Sequence, residues 1–95
     1  MKNILILFGG KSSEHDVSLL SAYSVIMNIP KDKYTVTLMG ITKDGKWLLY
    51  EGDADKIPSG EWTDDNCTKA AVSTDFGDSS VIAFRENGNE KIHVD

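Results

Sequence analysis

The chain has 95 residues, of which 40% are hydrophobic and 26% are charged, and its formal net charge is -5. This length allows one domain, and the composition is typical of a globular rather than a disordered protein. The lysines are scattered singly, so the sequence lacks the basic surface that nucleic-acid binding requires. The lone Cys67 excludes an internal disulfide and a cysteine-based zinc site, which fits a reducing compartment.

The first predicted element is a strand from Ile4 to Phe8. Its continuous aliphatic and aromatic run is typical of a parallel strand that is covered on both faces. The run is too short for an export signal or a membrane span, which favours the cytoplasm and no membrane partner. The strand ends at Gly9-Gly10, and a helix is expected to begin near Ser12 or Ser13.

A β-α-β unit follows from the next two patterns. Apolar residues at spacings of three, four and three predict a helix of roughly four turns that ends near Pro30. The stripe consists of Leu19, Ala22, Ile26 and Ile29. The β-forming segment 34–41 then predicts a strand parallel to the first. Asp44-Gly45 predicts a tight hairpin into an antiparallel third strand.

The second half of the chain is less regular. Residues 51–80 are polar, which predicts irregular structure with at most a short helix near Asp53 to Ile57. The packing anchors expected there are Ile57, Trp62 and Ala70-Ala71-Val72. Asn87-Gly88 lies between two β-forming runs and predicts a second hairpin. The predicted fold class is therefore α/β, a Rossmann-like β-α-β unit with added β-hairpins in three layers or a partial three-layer arrangement.

The segment from Gly9 to Ser18 is the candidate binding site, because ligands of open α/β sheets collect where strands give way to helices. Two consecutive glycines permit a sharp turn and the close approach of a ligand. Glu14 would offer a carboxylate to a substrate ammonium group, beside the small apolar Val17. Turn chemistry alone explains the same residues, with Ser12 or Ser13 as a helix cap. The spacing matches neither the dinucleotide fingerprint nor the P-loop.

Other chemically capable residues carry weaker signals. His15 and His93 are isolated, without an acidic cluster at ligand spacing, so no metal site is predicted. Trp47 and Trp62 fit packing against the sheet better than ligand stacking. The six aspartates between residues 53 and 78 fit a solvated polar stretch better than a calcium loop.

The pattern G-G-x-S-x-E-x-x-V-S-L-x-S-A resembles the amino-terminal signature of the D-alanine-D-alanine ligase family. The matching positions are Gly9, Gly10, Ser12, Glu14, Val17, Ser18, Leu19, Ser21 and Ala22. The strand end Gly40-Ile41-Thr42, the Asp44-Gly45 turn and Trp47 more loosely resemble the branch that includes D-alanine-D-serine ligases.

The resemblance implies that residues 1–95 form a pre-ATP-grasp substrate domain, without the central and carboxyl-terminal ATP-grasp domains. Glu14 would then act as a catalytic and substrate-binding residue that holds the ammonium of the first D-alanine. Val17 would lie near the methyl group of that D-alanine, and Gly9 and Gly10 would complete the substrate site. The full-length enzyme would use ATP and Mg2+ to join two amino acids for peptidoglycan precursor synthesis, and would be a cytoplasmic homodimer.

The chain ends before the next family motifs, His-Gly and Gly-Glu-Asp-Gly, so this fragment alone is expected to be inactive and to bind no cofactor. Two other hypotheses remain open: a standalone Rossmann-like binding or regulatory module, and a mainly structural role in dimerisation. The identity of the second substrate, D-alanine, D-serine or D-lactate, is also open, because the residues that select it are expected in the other domains.

Overall fold

The fold is given by a computed structural model, which describes residues 2–10, 15–75 and 78–95, with the backbone alone for residues 15–17, 74, 75 and 78. The helix and strands are β1 Lys2–Gly9, α1 His15–Asn28, β2 Tyr34–Ile41, β3 Trp47–Tyr50, β4 Cys67–Asp75, β5 Asp78–Arg85 and β6 Gly88–Val94. Two short 3-10 turns, Ala54–Lys56 and Glu61–Asp64, lie between β3 and β4.

The strands form one six-stranded sheet in the order β1-β2-β3-β4-β5-β6. β1 and β2 are parallel, and every later pair is antiparallel. The predicted β-α-β unit and both hairpins are therefore confirmed. At the first hairpin the Thr42 amide donates to the Lys46 carbonyl at 2.9 Å, and Gly45 adopts a φ of 88°, a conformation that favours glycine.

The prediction of irregular structure for residues 51–80 was wrong, because β4 and the start of β5 lie within it. The expected short helix is present as the 3-10 turn Ala54–Lys56. β4 and the first residues of β5 were not predicted from the sequence, because burial there does not follow residue type. Ala70 and Val81 are buried, whereas Val72 is 38% exposed, so no clean alternation of apolar and polar residues marks the strands.

The sheet separates two hydrophobic clusters. On one face, α1 packs its predicted stripe, including Leu19, Ala22 and Ile26, against an aromatic group. That group consists of Phe8, Tyr50 of β3 and Trp62 of the loop that precedes β4. On the other face, the sheet curves around a core that its own strands supply. That second cluster contains Met39, Leu49, Ala70, Val81, Ala83 and Val94, with Leu5 and Ile92 packed against it.

The curvature of the sheet brings β6 beside β1. The Asp95 amide donates to the Asn3 carbonyl at 2.8 Å, and the Asn3 amide donates to the Asp95 carboxylate at 2.8 Å. The expectation that β1 is covered on both faces holds only in part. Phe8 is buried against α1, but Leu7 on the opposite face is 48% exposed.

The two tryptophans have different environments. Trp62 is fully buried, and its ring makes edge contacts with Phe8 and Tyr50, at centroid distances of 4.9 and 6.0 Å. Its predicted packing role is confirmed. Trp47, at the start of β3, is 40% exposed and is only partly packed. Within the described part of the chain, no helix has both the length and the apolar character needed to cross a membrane.

Candidate functional site

The candidate site lies where β1 ends and the chain leads into α1. β1 and β2 run in parallel with Gly9 opposite Ile41, so their carboxyl ends meet at one edge of the sheet. α1 begins at the same edge, at His15. The structure thus places Gly9 and Gly10 at the predicted position, between two strand ends and a helix start.

The backbone of Gly9 and Gly10 leaves the strand in a conformation that favours glycine. Their φ angles are 86° and 121°, values that a residue with a side chain adopts only with strain. A Cβ atom placed on Gly10 would meet no atom within 4 Å among the described residues. Within the described part of the chain, the space beside Gly10 is therefore open, as the approach of a ligand to the backbone requires.

Two hydrogen bonds hold this turn in place. The Gly10 amide donates to the Ile41 carbonyl at 2.9 Å, which ties the turn to β2. The Gly9 amide donates to the Ser18 Oγ at 3.0 Å, which ties it to the first turn of α1. Ser18 was recognised in the sequence only as part of a motif. Its spacing of four residues before the buried Ala22 was the available signal, since it puts both side chains on the sheet-facing side of α1.

The two side chains predicted to contact substrate are not placed by the structure. Glu14 lies outside the described residues, and only the backbone of Val17 is described, within α1. Of the four predicted substrate-binding residues, Gly9 and Gly10 are thus brought together with the start of α1. The roles of Glu14 and Val17 stay predictions.

A cavity of about 340 Å³ opens next to this edge of the sheet. It is bounded by Leu19 of α1, by Thr42 at the end of β2, and by the loop that carries Trp62. Among the described residues, no hydrogen-bond acceptor reaches the buried Trp62 Nε1. Buried donors of this kind are commonly satisfied by ordered water.

A polar cluster organises the loop between β3 and β4. The buried Tyr50 hydroxyl donates to the Asp53 carbonyl at 2.5 Å and lies 3.1 Å from Asp65 Oδ2, while Lys56 Nζ lies 3.7 Å from that oxygen. Burial, and then the hydrogen bond to Asp65, raise the pKa of Tyr50 well above its ordinary value. Asp65 is therefore a structural acceptor, which corrects its prediction as part of a solvated stretch.

The remaining titratable groups do not form a metal centre within the described residues. No group of three or more His, Cys, Asp or Glu side chains there could hold a metal ion. His93, with a side chain that is 60% exposed, lies 3.4 Å from Asp95. The Cys67 thiol donates to the Trp62 carbonyl at 3.0 Å. Burial, followed by the charges of Asp65 and Asp64, raises the pKa of Cys67 to about 11, so it is a poor nucleophile at neutral pH.

Relatives of known sequence are D-alanine-D-alanine ligases. The D-alanine-D-alanine ligase of Thermoanaerobacter sp. (strain X514) is 44% identical over 98 residues, which cover 99% of this chain and 26% of that protein. The ligase of Acetivibrio thermocellus is 62% identical over 61 residues, which cover 64% of this chain and 16% of the relative. The chain thus spans about a quarter or less of the length of these relatives.

Solved structures agree with this result. The VanG D-Ala:D-Ser ligase of Enterococcus faecalis superposes with a TM-score of 0.74 and 40% identity over 76% of this chain and 22% of that one. The D-alanine-D-alanine ligase of Coxiella burnetii matches 99% of this chain and 26% of its own length, with a TM-score of 0.77. Because its sequence identity is only 18%, this match supports a shared fold alone. The family described as "D-ala D-ala ligase N-terminus" matches residues 3–95. The chain therefore belongs to the family of D-alanine-D-alanine ligase amino-terminal domains.

Proposed function

We propose that this chain is the amino-terminal substrate domain of an ATP-dependent D-alanine-D-alanine ligase, and that it binds the first D-alanine during peptidoglycan precursor synthesis. The observation that carries the proposal is the family match over residues 3–95. The central and carboxyl-terminal ATP-grasp domains would lie outside these 95 residues. The complete enzyme would act in the cytoplasm as a homodimer.

The proposed substrate site combines the described glycine turn with two neighbouring side chains. Glu14 would accept charge-assisted hydrogen bonds from the ammonium group of D-alanine, which are stronger than bonds between neutral groups. Val17 would lie against the methyl group of the substrate. Gly9 and Gly10 would let the substrate reach the backbone, which is supported by the absence of described atoms within 4 Å of a Cβ placed on Gly10.

ATP and Mg2+ would be held by the other domains. The described residues offer no set of side chains that fits a metal ion. The Gly9-Gly10 turn matches neither the dinucleotide fingerprint nor the P-loop. The contribution of this chain would therefore be to bind and orient the first amino acid, which lowers the entropic cost of the reaction.

The proposal is tested by Glu14→Gln in the complete protein that carries this chain. The loss of a charged acceptor should raise the apparent KM for D-alanine on the order of ten-fold or more, measured by ADP release coupled to dipeptide formation. Glu61→Gln is a matched control, because Glu61 is an exposed acid in a 3-10 turn. An unchanged apparent KM in the Glu14 variant would remove that residue from its role, and a wild-type protein without ligase activity would refute the function.

D-alanine-D-serine ligation is a second candidate, favoured by the 40% identity to a D-Ala:D-Ser ligase. The two reactions share the first substrate, so both are compatible with the same amino-terminal site. Dipeptide products formed by the complete protein from mixtures of D-alanine with D-serine or D-lactate would distinguish them. A protein that binds D-alanine but forms no product would instead support the alternative of a standalone binding or regulatory module.

A further inference from the structure

Ser18 makes a hydrogen bond at the edge of β1 that faces away from β2. Alternate amides of a strand point to opposite edges. The Gly10 amide points toward β2 and donates to Ile41, so the Gly9 amide points away from β2. The Asn3 amide has the same orientation and finds an acceptor in Asp95. The Gly9 amide finds its acceptor in the hydroxyl of Ser18, at 3.0 Å.

This contact matters because glycine restrains its own backbone poorly. Gly9 and Gly10 both have positive φ and no Cβ atom, so their conformation depends on the groups that bind their amides. One amide is held by β2 and the other by α1. Ser18 is thus a residue through which the helix binds the backbone at the end of the strand.

The position of Ser18 in the sequence links the contact to substrate binding. Glu14 lies four residues after Gly10 and four residues before Ser18. The segment that carries Glu14 therefore connects the two elements that the hydrogen bond between Gly9 and Ser18 joins. A change in the distance between β1 and α1 would therefore change the distance between the two ends of that segment.

We propose that Ser18 is a positioning residue for the amino-acid site, because its hydroxyl fixes the end of β1 against the first turn of α1. This inference rests on the proposed function. Ser18 itself need not contact the substrate. It fixes the position of the Gly9-Gly10 backbone relative to the start of α1.

The test is Ser18→Ala in the complete protein, with dipeptide formation measured as a function of D-alanine concentration. The variant should raise the apparent KM for D-alanine about five-fold, as expected for the loss of one hydrogen bond, with a smaller change in kcat. Ser18→Thr, which retains the hydroxyl, should restore a KM close to that of the wild type. Ser21→Ala is the matched control, since Ser21 is an exposed serine of the same helix.

The outcomes separate the inference from the function on which it rests. A wild-type protein that forms no dipeptide refutes the proposed function. An active wild type together with a folded Ser18→Ala variant of unchanged KM refutes the role of Ser18 alone. A Ser18→Ala variant with a lower melting temperature but an unchanged KM would show that Ser18 has only a structural role. This result would also refute the positioning role. If Ser18→Ala does not fold, Ser18→Cys keeps the shape with a weaker acceptor, and the same KM criterion applies.

Discussion

Gly40 lies where β2 packs tightly against Trp62 of the loop that precedes β4. A Cβ atom at this position would lie 2.4 Å from Trp62 Cη2, 2.5 Å from Trp62 Cζ3 and 2.7 Å from Phe8 Cε2. These distances are far below van der Waals contact. Glycine is thus required here by the space that the aromatic rings occupy.

Gly40→Ala should destabilise the protein by about 1–3 kcal/mol, because the surrounding core must shift to admit a methyl group. Urea unfolding followed by circular dichroism would measure the loss. In a Trp62→Phe background, which lacks the two nearest ring atoms, the same substitution should cost less, with a coupling on the order of 1 kcal/mol. Equal costs in both backgrounds would contradict the steric explanation.

Cys67 should react slowly with thiol reagents at pH 8. Its pKa is raised from 9.0 to about 11, so little thiolate is present, and the thiolate is the reactive form. The rate of alkylation should increase with pH up to about pH 11. The urea-unfolded chain is the control, and it should react faster at pH 8. Equal rates in the folded and unfolded chains would contradict the assignment.

The raised pKa of Cys67 also predicts how the stability of the protein changes with pH. A thiol whose pKa is raised by folding contributes stability below its ordinary pKa, and this contribution is lost as pH rises through the folded value. The free energy of unfolding should therefore fall between pH 9.0 and about 11. The Cys67→Ala variant lacks this group, so its stability should fall less over the same range.

At the scale of single residues, the sequence predicted burial better than hydrogen bonding. Trp62 was expected to pack and is fully buried, since a large aromatic residue in a polar segment has few other roles. The contact of Ser18 with Gly9 and the bond of Asp65 to Tyr50 were not foreseen. These two contacts join residues that are brought together only by the packing of separate elements. The type of each residue therefore does not predict them.

At the scale of elements, Asn3 connects β1 to both neighbouring strands. Its Nδ2 donates to the His93 carbonyl at 2.9 Å, and its Oδ1 accepts from the Thr37 hydroxyl at 2.9 Å. A single side chain near the start of β1 therefore connects β2 and β6.

Asn3→Ala should lower the free energy of unfolding by about 1–2 kcal/mol, because it removes two hydrogen bonds and leaves a partly buried hydroxyl without its acceptor. Thr35→Val is a suitable control, because it removes an exposed hydroxyl that reaches the Lys2 carbonyl at 3.3 Å and keeps a β-forming residue. Thermal unfolding of both variants would test the difference. Similar losses would indicate that Asn3 has no special connecting role.

The elements themselves were predicted unevenly. β1, α1, β2 and the two hairpins follow from apolar runs, a helical stripe and Asp-Gly or Asn-Gly turns. β4 did not, because small residues such as Ala70 fill its inward positions and carry little pattern. Its place in the sheet is fixed by pairing with β3 and β5, which are interactions between segments and are not visible in a local window.

At the scale of the whole molecule, the 95-residue chain should show no ATP hydrolysis with D-alanine and Mg2+. Phosphoryl transfer depends on metal ions and cationic groups that stabilise the transferred group, and the described residues include no cluster suited to a metal. ADP release should match a blank without protein, while the complete protein serves as the positive control. Turnover by the 95-residue chain would contradict its assignment as a substrate domain alone.

The family was recognisable from sequence because its motif is compact, spanning residues 9–22. The fold around that motif agrees with the prediction, and the glycine turn lies where it was expected. The substrate contacts of Glu14 and Val17 stay predictions, since Glu14 and the side chain of Val17 lie outside the part of the chain that the structure describes.

The order of the strands has a consequence for refolding. Each neighbouring pair in the sheet is also consecutive in the chain, so most of the sheet can assemble from local hairpins at little entropic cost. The hydrogen bonds between Asn3 and Asp95, by contrast, join positions 92 residues apart. The contact between β1 and β6 should therefore form late, after the hairpins have shortened the effective loop. Its formation should limit how fast water is excluded from the second hydrophobic cluster.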